Sequence, residues 1–300
     1  MTAGSCRLSF FFCLLFVSKL PISVYYHAMD SVTKAVIMAR GLGTRMRKPD
    51  ESAGLNNEQA AAAGTGVKAM IPIGRPFLDY VLGGLADAGF SEACLVIGPE
   101  HQVIRDYYTV QSPPKRIRIE FAVQPHPLGT ADAVFAAKEF AGNDLFLVIN
   151  SDNYYPVAAL RSMRGLDGAG VALFERDRLV AESNIPEDRV LKFALAKIDK
   201  EGCLERILEK PSPEVMRALD LPVYVSMNCW IFSPVIFRAC QAIQPSVRGE
   251  LELSDAVQCA IDALGERFRA LTFQDAVLDM SCRPDIAVVA EKLRGINPNP

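Results

Sequence analysis

The sequence predicts an α/β protein whose mostly parallel sheet is covered by helices on both faces. Two observations carry that prediction. Short apolar runs recur along the chain with helical stretches between them, the spacing of βαβ crossovers. Half of the 300 residues are hydrophobic, enough to bury a large core. Taken in order, KAVIMA from Lys34 reads as a buried strand, and RPFLDYVLGGLADAGF (75–90) as an amphipathic helix ending at Gly89. EACLVIG (92–98) and IRIEFAV (117–123) are the next strands, TADAVFAAKEFAG a helix, and DLFLVIN (144–150) a further buried strand. VALFER and VYVSMNCWIF (223–232) read as later strands, SPVIFRACQAI and LSDAVQCAIDALGERF as helices. The polar, Ala/Gly-rich segment at 47–67 is expected to be a mobile surface loop. There is no internal repeat or low-complexity tract.

Composition narrows the function classes. Charged residues make up 22% of the chain and form no block of one sign, which argues against disorder and a nucleic-acid surface. The formal net charge is −3, and a mildly acidic protein that binds phosphate must gather its basic groups locally. Residues 1–28 differ from the rest. Arg7 precedes an apolar run, Leu8–Val17, too short to span a bilayer comfortably but suited to a signal-peptide core. The following KLPISVYYHA offers no convincing small-x-small cleavage site. We expect Met29 to be the true start, with 1–28 a mis-called or non-native extension and 29–300 a single domain. A secretory or anchoring segment is the alternative. The cysteines at 94, 203, 229, 240, 259 and 282 form no C-x-x-C or disulfide-like spacing. This favours reduced thiols in a cytoplasm, with no membrane partner for the body.

The chemistry starts at the end of the first strand, in ARGLGTRMRK. Gly41 and Gly43 suit a tight turn that presents backbone N–H groups to phosphate oxygens. It is not the dinucleotide fingerprint, which needs a third glycine where Met46 stands, and no Walker A Gly-Lys-Ser/Thr follows. The Gly-Leu-Gly-Thr-Arg-Met run, followed by VKAMIPIGRPFLDYVL, resembles the sugar-1-phosphate nucleotidyltransferases. QPHPLGTADAV, LVINSDN, LEKP, RGELELSDAV and LDMSCRPD continue the resemblance in order over residues 33–290. It implies a Rossmann-like, GT-A-like fold with a mixed, mostly parallel sheet.

The resemblance implies an enzyme that turns an NTP and a sugar 1-phosphate into an NDP-sugar and pyrophosphate with Mg²⁺. Such chemistry needs positive charge, aligned donors and a divalent cation more than an acid or base. Gly41, Leu42, Gly43 and Thr44 would bind the nucleotide, and Arg45 would clamp its β/γ-phosphates bidentately. Lys68 would reach the α-phosphate, and Lys210 would neutralise the attacking phosphate. Gln124, Gly129 and Thr130 match the segment that reads the base, and Glu209 and Asn228 match sugar contacts. Asp152 and Asp279 match the metal aspartates, carboxylates being oxygen ligands for Mg²⁺. Glu250 and Asp255 match the pattern of their motif. The implied partners are a hexose 1-phosphate, glucose foremost, with UTP or dTTP ahead of purine triphosphates, and a homo-oligomeric assembly.

The chain departs from the family at four places. Asp-Met-Ser-Cys-Arg-Pro replaces the usual Asp-Ile/Val-Gly-Thr-Pro after Asp279, and Phe193-Ala194 replaces Tyr-Gly. The stretch between Arg45 and Lys68 is longer than in compact members, and Arg40 stands where glycine is frequent. Arg40 is expected to be tolerated and to add charge near the nucleotide. His27, His101 and His126 fit no metal or triad spacing and read as ordinary surface or loop residues. Two alternatives remain open: a catalytically silent nucleotide-sugar-binding regulator, and a nucleotidyltransferase with a non-sugar phosphate acceptor.

Overall fold

Three apolar runs build the centre of the sheet, β1 (Lys34–Met38), β2 (Glu92–Ile97) and β4 (Phe146–Asn150), and β3 (Arg118–Val123) forms one edge. In β1, Ala35 and Ile37 enter one hydrophobic core while Val36 and Met38 enter the other, so the strand is buried on both faces. This is why it reads as a continuous apolar run rather than an alternating one. The structure, a computed structural model, describes residues 1, 31–190, 192–209 and 221–300. Ser31–Pro300 form one compact unit. The extension expected at 1–28 lies, Met1 apart, outside the described residues.

β1 runs parallel between β2 and β4, with Met38 level with both Val96 and Asn150. The chain goes from β1 to β2 and on to β3 in one direction, then returns to place β4 on the other side of β1. Open α/β sheets bind ligands beyond the carboxyl ends of the strands at such a reversal. The remaining strands are β5 (Asn153–Tyr154), β6 (Gly170–Glu175), β7 (Ala194–Ile198), β8 (Leu204–Leu208), β9 (Tyr224–Phe232), β10 (Arg269–Phe273) and β11 (Leu278–Asp279). β9 lies antiparallel between β4 and β6, and also pairs with β7. Among the described residues the main sheet has nine strands and is mixed, as expected. β5 and β11 form a separate antiparallel pair that joins Asn153 to Asp279.

The helices show two corrections. The polar segment at 47–67 is not an unstructured loop: it follows α1 (Thr44–Arg47) and contains α2 (Asn57–Thr65). Asn56 accepts from the Gln59 N–H at 2.8 Å, and the Gln59 side chain accepts in return from the Asn56 N–H at 3.3 Å. That capping box and the alanine run behind it, strong helix formers, outweigh the polar composition. The helix predicted over 75–90 forms as α3 (Phe77–Ala88), but it is buried nearly all round rather than amphipathic. Phe77, Leu78, Val81, Leu82 and Leu85 are each buried, contributing about 1.5–3 kcal/mol apiece. Asp79 is tolerated among them because Arg75, Tyr107 and Tyr108 donate to its carboxylate at 2.6, 3.1 and 2.8 Å. No described helix is long and apolar enough to cross a membrane.

Candidate active site

A cleft of about 840 Å³ opens at the carboxyl ends of β1 and β4, where the sheet topology directs a ligand. Gly41 through Arg45 line it from the end of β1, and Asp152 from just past β4. Lys68, Gln124, Gly129 and Thr130 also line it, as do Glu209 and Asn228. Segments far apart in sequence therefore converge on one opening. Asp279 does not join them: it is buried and does not line the cleft, while the expectation for Lys210 falls outside the described residues.

Gly43 fixes the turn. Its φ of 62° lies in the left-handed region, and a Cβ there would sit 2.0 Å from the Gly66 carbonyl oxygen. The turn after β1 is thus held against the end of α2. Gly43→Ala is expected to cost at least about 2 kcal/mol, read as a lower urea midpoint. A midpoint equal to wild type would mean that the contact with Gly66 is dispensable.

Lys68 and Asp152 form an ion pair through Asp152 Oδ2, and the Asp152 carbonyl accepts from the Met280 N–H at 2.8 Å. Asp152 Oδ1 has no partner among the described residues. Arg45 is exposed at the cleft, and no described residue pairs with its side chain. These are a free cation and a free carboxylate oxygen in one opening.

On the β3 side, the Gln124 amide nitrogen donates to the Gly129 carbonyl at 3.0 Å and to Asp132 at 2.7 Å. Two acceptors on that nitrogen settle which end of the amide is which. The space a Gly129 Cβ would take is filled by the Leu251 backbone, 2.4 Å away. Thr130 Oγ1 accepts from the Leu253 N–H at 2.9 Å. Gly129 and Thr130 therefore first join two segments of the cleft wall. Arg40 is buried: its Nε donates to the Gln124 carbonyl at 3.1 Å, and its Nη1 meets Glu100 at 2.8 Å without aligning a hydrogen bond. Its charge stands beside the backbone of Gln124 while Glu100 offsets it. His101 lies in a loop, one of the two settings expected for it, but not at the surface. It is buried in the loop after β2, its Nδ1 accepts from the Gly98 N–H at 3.3 Å, and burial lowers its pKa. His126 is exposed, and His27 lies outside the described residues.

Asn228 has φ 55°, unusual for a non-glycine residue, within an irregularity of the β6–β9 pairing. Its Nδ2 comes within 3.5 Å of Asn150 Oδ1 across the cleft floor. Glu209 is exposed at the rim, 3.9 Å from Arg248. Arg248 also pairs with Glu252 and comes within 3.9 Å of Glu250. Glu250 lines the cleft, and Asp255 does not.

Among the cleft residues that the sequence did not single out are Arg189, Arg248 and Ser281. Arg248 stood inside a recognised motif, whereas Arg189 belonged to none. Arg189 Nη1 donates to Asp279 Oδ2 at 2.9 Å, and its two terminal nitrogens reach Asp285 at 2.9 and 2.8 Å. Burial acts to lower the Arg189 pKa, but Asp285 and Asp279 more than reverse it and hold the guanidinium charged. Asp279 is pushed up by burial first and by Asp152 second, with Ser281 and Arg189 opposing. No group of three or more His, Cys, Asp or Glu suited to a metal occurs among the described residues.

Residues 34–276 match the model of the nucleotidyl transferase family. The chain belongs to that family. Among similar nucleotidyl transferases are the low-salt glycan biosynthesis nucleotidyltransferase Agl11 of Haloferax volcanii and the glucose-1-phosphate thymidylyltransferase of Streptomyces griseus. The first is 28% identical over 235 residues, covering 76% of this chain and 57% of that protein. The second is 30% identical over 234 residues, covering 77% and 58%. The matched region is thus under two thirds of either relative's length. A solved UDP-glucose pyrophosphorylase, complexed with UDP-glucose, superposes with TM-score 0.67 at 20% identity, covering 88% of this chain and 100% of its own. At that identity the likeness bears on the nucleotidyl transferase fold alone.

Proposed function

We propose that this nucleotidyl transferase joins an NTP and a sugar 1-phosphate into an NDP-sugar and releases pyrophosphate. The observation that carries the reading is the sharing of one cleft by the Gly41–Arg45 turn, the Lys68–Asp152 pair and Gln124. An oxygen of the sugar phosphate attacks the α-phosphorus, the bond to the β-phosphate breaks, and pyrophosphate leaves with the electron pair. Arg45 clamps the triphosphate, Lys68 neutralises the α-phosphate, and Lys210 the incoming phosphate. Asp152, with an open Oδ1 at the cleft, fits Mg²⁺, which takes one or two carboxylates and fills its shell with phosphate oxygens and water. When bound, the cation would offset charge on the phosphates.

The Gln124 amide nitrogen is already engaged, which leaves its carbonyl oxygen for a base. An acceptor suits the imide N–H of uracil or thymine and opposes the bare ring nitrogen of cytosine. UTP or dTTP is therefore the favoured nucleotide, with guanine the competing base. Relatives named for glucose-1-phosphate thymidylyl and uridylyl transfer support a hexose acceptor, with Glu209 and Asn228 on its hydroxyls. The reading includes a homo-oligomer in a reducing cytoplasm, a setting supported by six free body cysteines.

A silent nucleotide-sugar binder is the second reading, favoured by the engagement of Asp279 with Arg189. Phe193 and Ala194 at the cleft keep a non-sugar phosphate acceptor in view. The test is pyrophosphate release from ATP, CTP, GTP, UTP and dTTP against a panel of sugar 1-phosphates and choline phosphate. Release is expected with UTP or dTTP and a hexose 1-phosphate. Silence across every pair would remove the enzyme reading in favour of the binder.

A further inference from the structure

Asp279 is the one aspartate of the expected metal pair that does not fit a cation, because both its carboxylate oxygens are already engaged. Its Oδ2 receives Arg189 Nη1 at 2.9 Å and Ser281 Oγ at 2.6 Å, and its Oδ1 receives Asn153 Nδ2 at 3.2 Å. Asn184 brackets its backbone, donating to the carbonyl at 2.7 Å and accepting from the N–H at 2.8 Å. Arg189 cannot simply swing away, because Asp285 grips both its terminal nitrogens from the other side. The guanidinium is buried, so its charge acts through little water on anything placed beside Asp279. A divalent ion there would displace two donors and face a fixed positive charge at hydrogen-bond range. Asp152 differs in each respect: it lines the cleft, keeps one oxygen open, and its partner Lys68 is a single flexible amine.

We propose that Arg189 is a built-in counter-ion for Asp279, so that this chain holds its divalent cation through Asp152 and not through Asp279. Asp279 is then a positioning residue. With Arg189 and Asn153 it ties β11 to β5 and fixes the segment directly after Asp152. The inference rests on the nucleotidyl-transfer reading, which supplies the cation and the phosphates.

The test is Mn²⁺ bound to the full chain with UTP, read by water-proton relaxation against Mn²⁺–UTP alone. Asp152→Asn is expected to weaken Mn²⁺ at least about tenfold, and Asp279→Asn to leave it within about threefold of wild type. A comparable loss in Asp279→Asn would overturn the proposal while leaving the nucleotidyl-transfer reading intact. No relaxation enhancement in the wild type would instead overturn that reading and the proposal with it. Should Asp279→Asn fail to fold, Arg189→Gln supplies the same decision. Freed of its counter-ion, Asp279 should then tighten Mn²⁺ at least about tenfold, and an unchanged affinity would overturn the proposal.

Discussion

Asparagine at position 152 is expected to lower pyrophosphate release by about a thousandfold in a protein that still folds. Asp152 sits beyond the carboxyl end of β4, at the reversal of strand order, with Oδ1 open to the cleft and Oδ2 on Lys68. The substitution keeps the shape and removes the charge. It takes away the carboxylate that fits the cation and leaves Lys68 without its ion pair, so the charge pattern of the cleft is lost. The fold has little at stake. The lost pair is partly solvated and contributes about 1 kcal/mol, and the Asp152 carbonyl keeps its bond from the Met280 N–H. Coupled pyrophosphate release gives kcat and KM, and urea unfolding gives stability. Turnover near wild type would remove Asp152 from the chemistry, and a collapsed urea midpoint would reassign the loss to folding.

The fold was legible in the sequence where local pattern and tertiary role agree. β1, β2 and β4 are covered on both faces, so each is apolar throughout and easily read. The cleft residues were legible because their motifs lie at strand ends, and the topology gathers strand ends at one edge. The failures have the opposite cause. α2 hides behind polar and small residues, and its start depends on a reciprocal Asn56–Gln59 bond that composition does not reveal. α3 reads as amphipathic in the sequence, yet Asp79 in its first turn is buried with the apolar residues around it. Asp79 is neutralised by donors from Arg75, Tyr107 and Tyr108, two of them some thirty residues on. Arg189 is the extreme case. Its partners Asp279 and Asp285 lie 90 and 96 residues away, and nothing near it in sequence marks it as buried. Long-range charge pairing leaves no periodic trace.

That same buried cluster makes Asp285→Asn the substitution expected to cost most in stability, about 3–5 kcal/mol. The Asp285 carboxylate receives both terminal nitrogens of Arg189, the N–H groups of Ser281 and Cys282 at 2.9 and 2.8 Å, and Asn184 Nδ2 at 3.2 Å. An asparagine would turn an NH₂ group towards some of these donors and leave Arg189 buried with Asp279 as its only carboxylate. A pH signature separates this from a mere packing defect. Burial acts to raise Asp285, but the hydrogen bonds from Arg189 and Cys282 outweigh it and hold the carboxyl below its ordinary value of 3.8. A depressed carboxyl stabilises the fold fully above its unfolded value, and that contribution is lost as pH falls through the folded value. Asp279 has the opposite sign: raised by burial and by Asp152, it carries a cost at neutral pH that is relieved as pH falls towards 3.8. Urea midpoints at pH 7, 4 and 3 should therefore show the wild type losing its advantage over Asp285→Asn below pH 4, where Asp285 takes up its proton. A gap constant across that range, or one below about 1 kcal/mol at pH 7, would mean that Arg189 is held by packing rather than by the charge of Asp285.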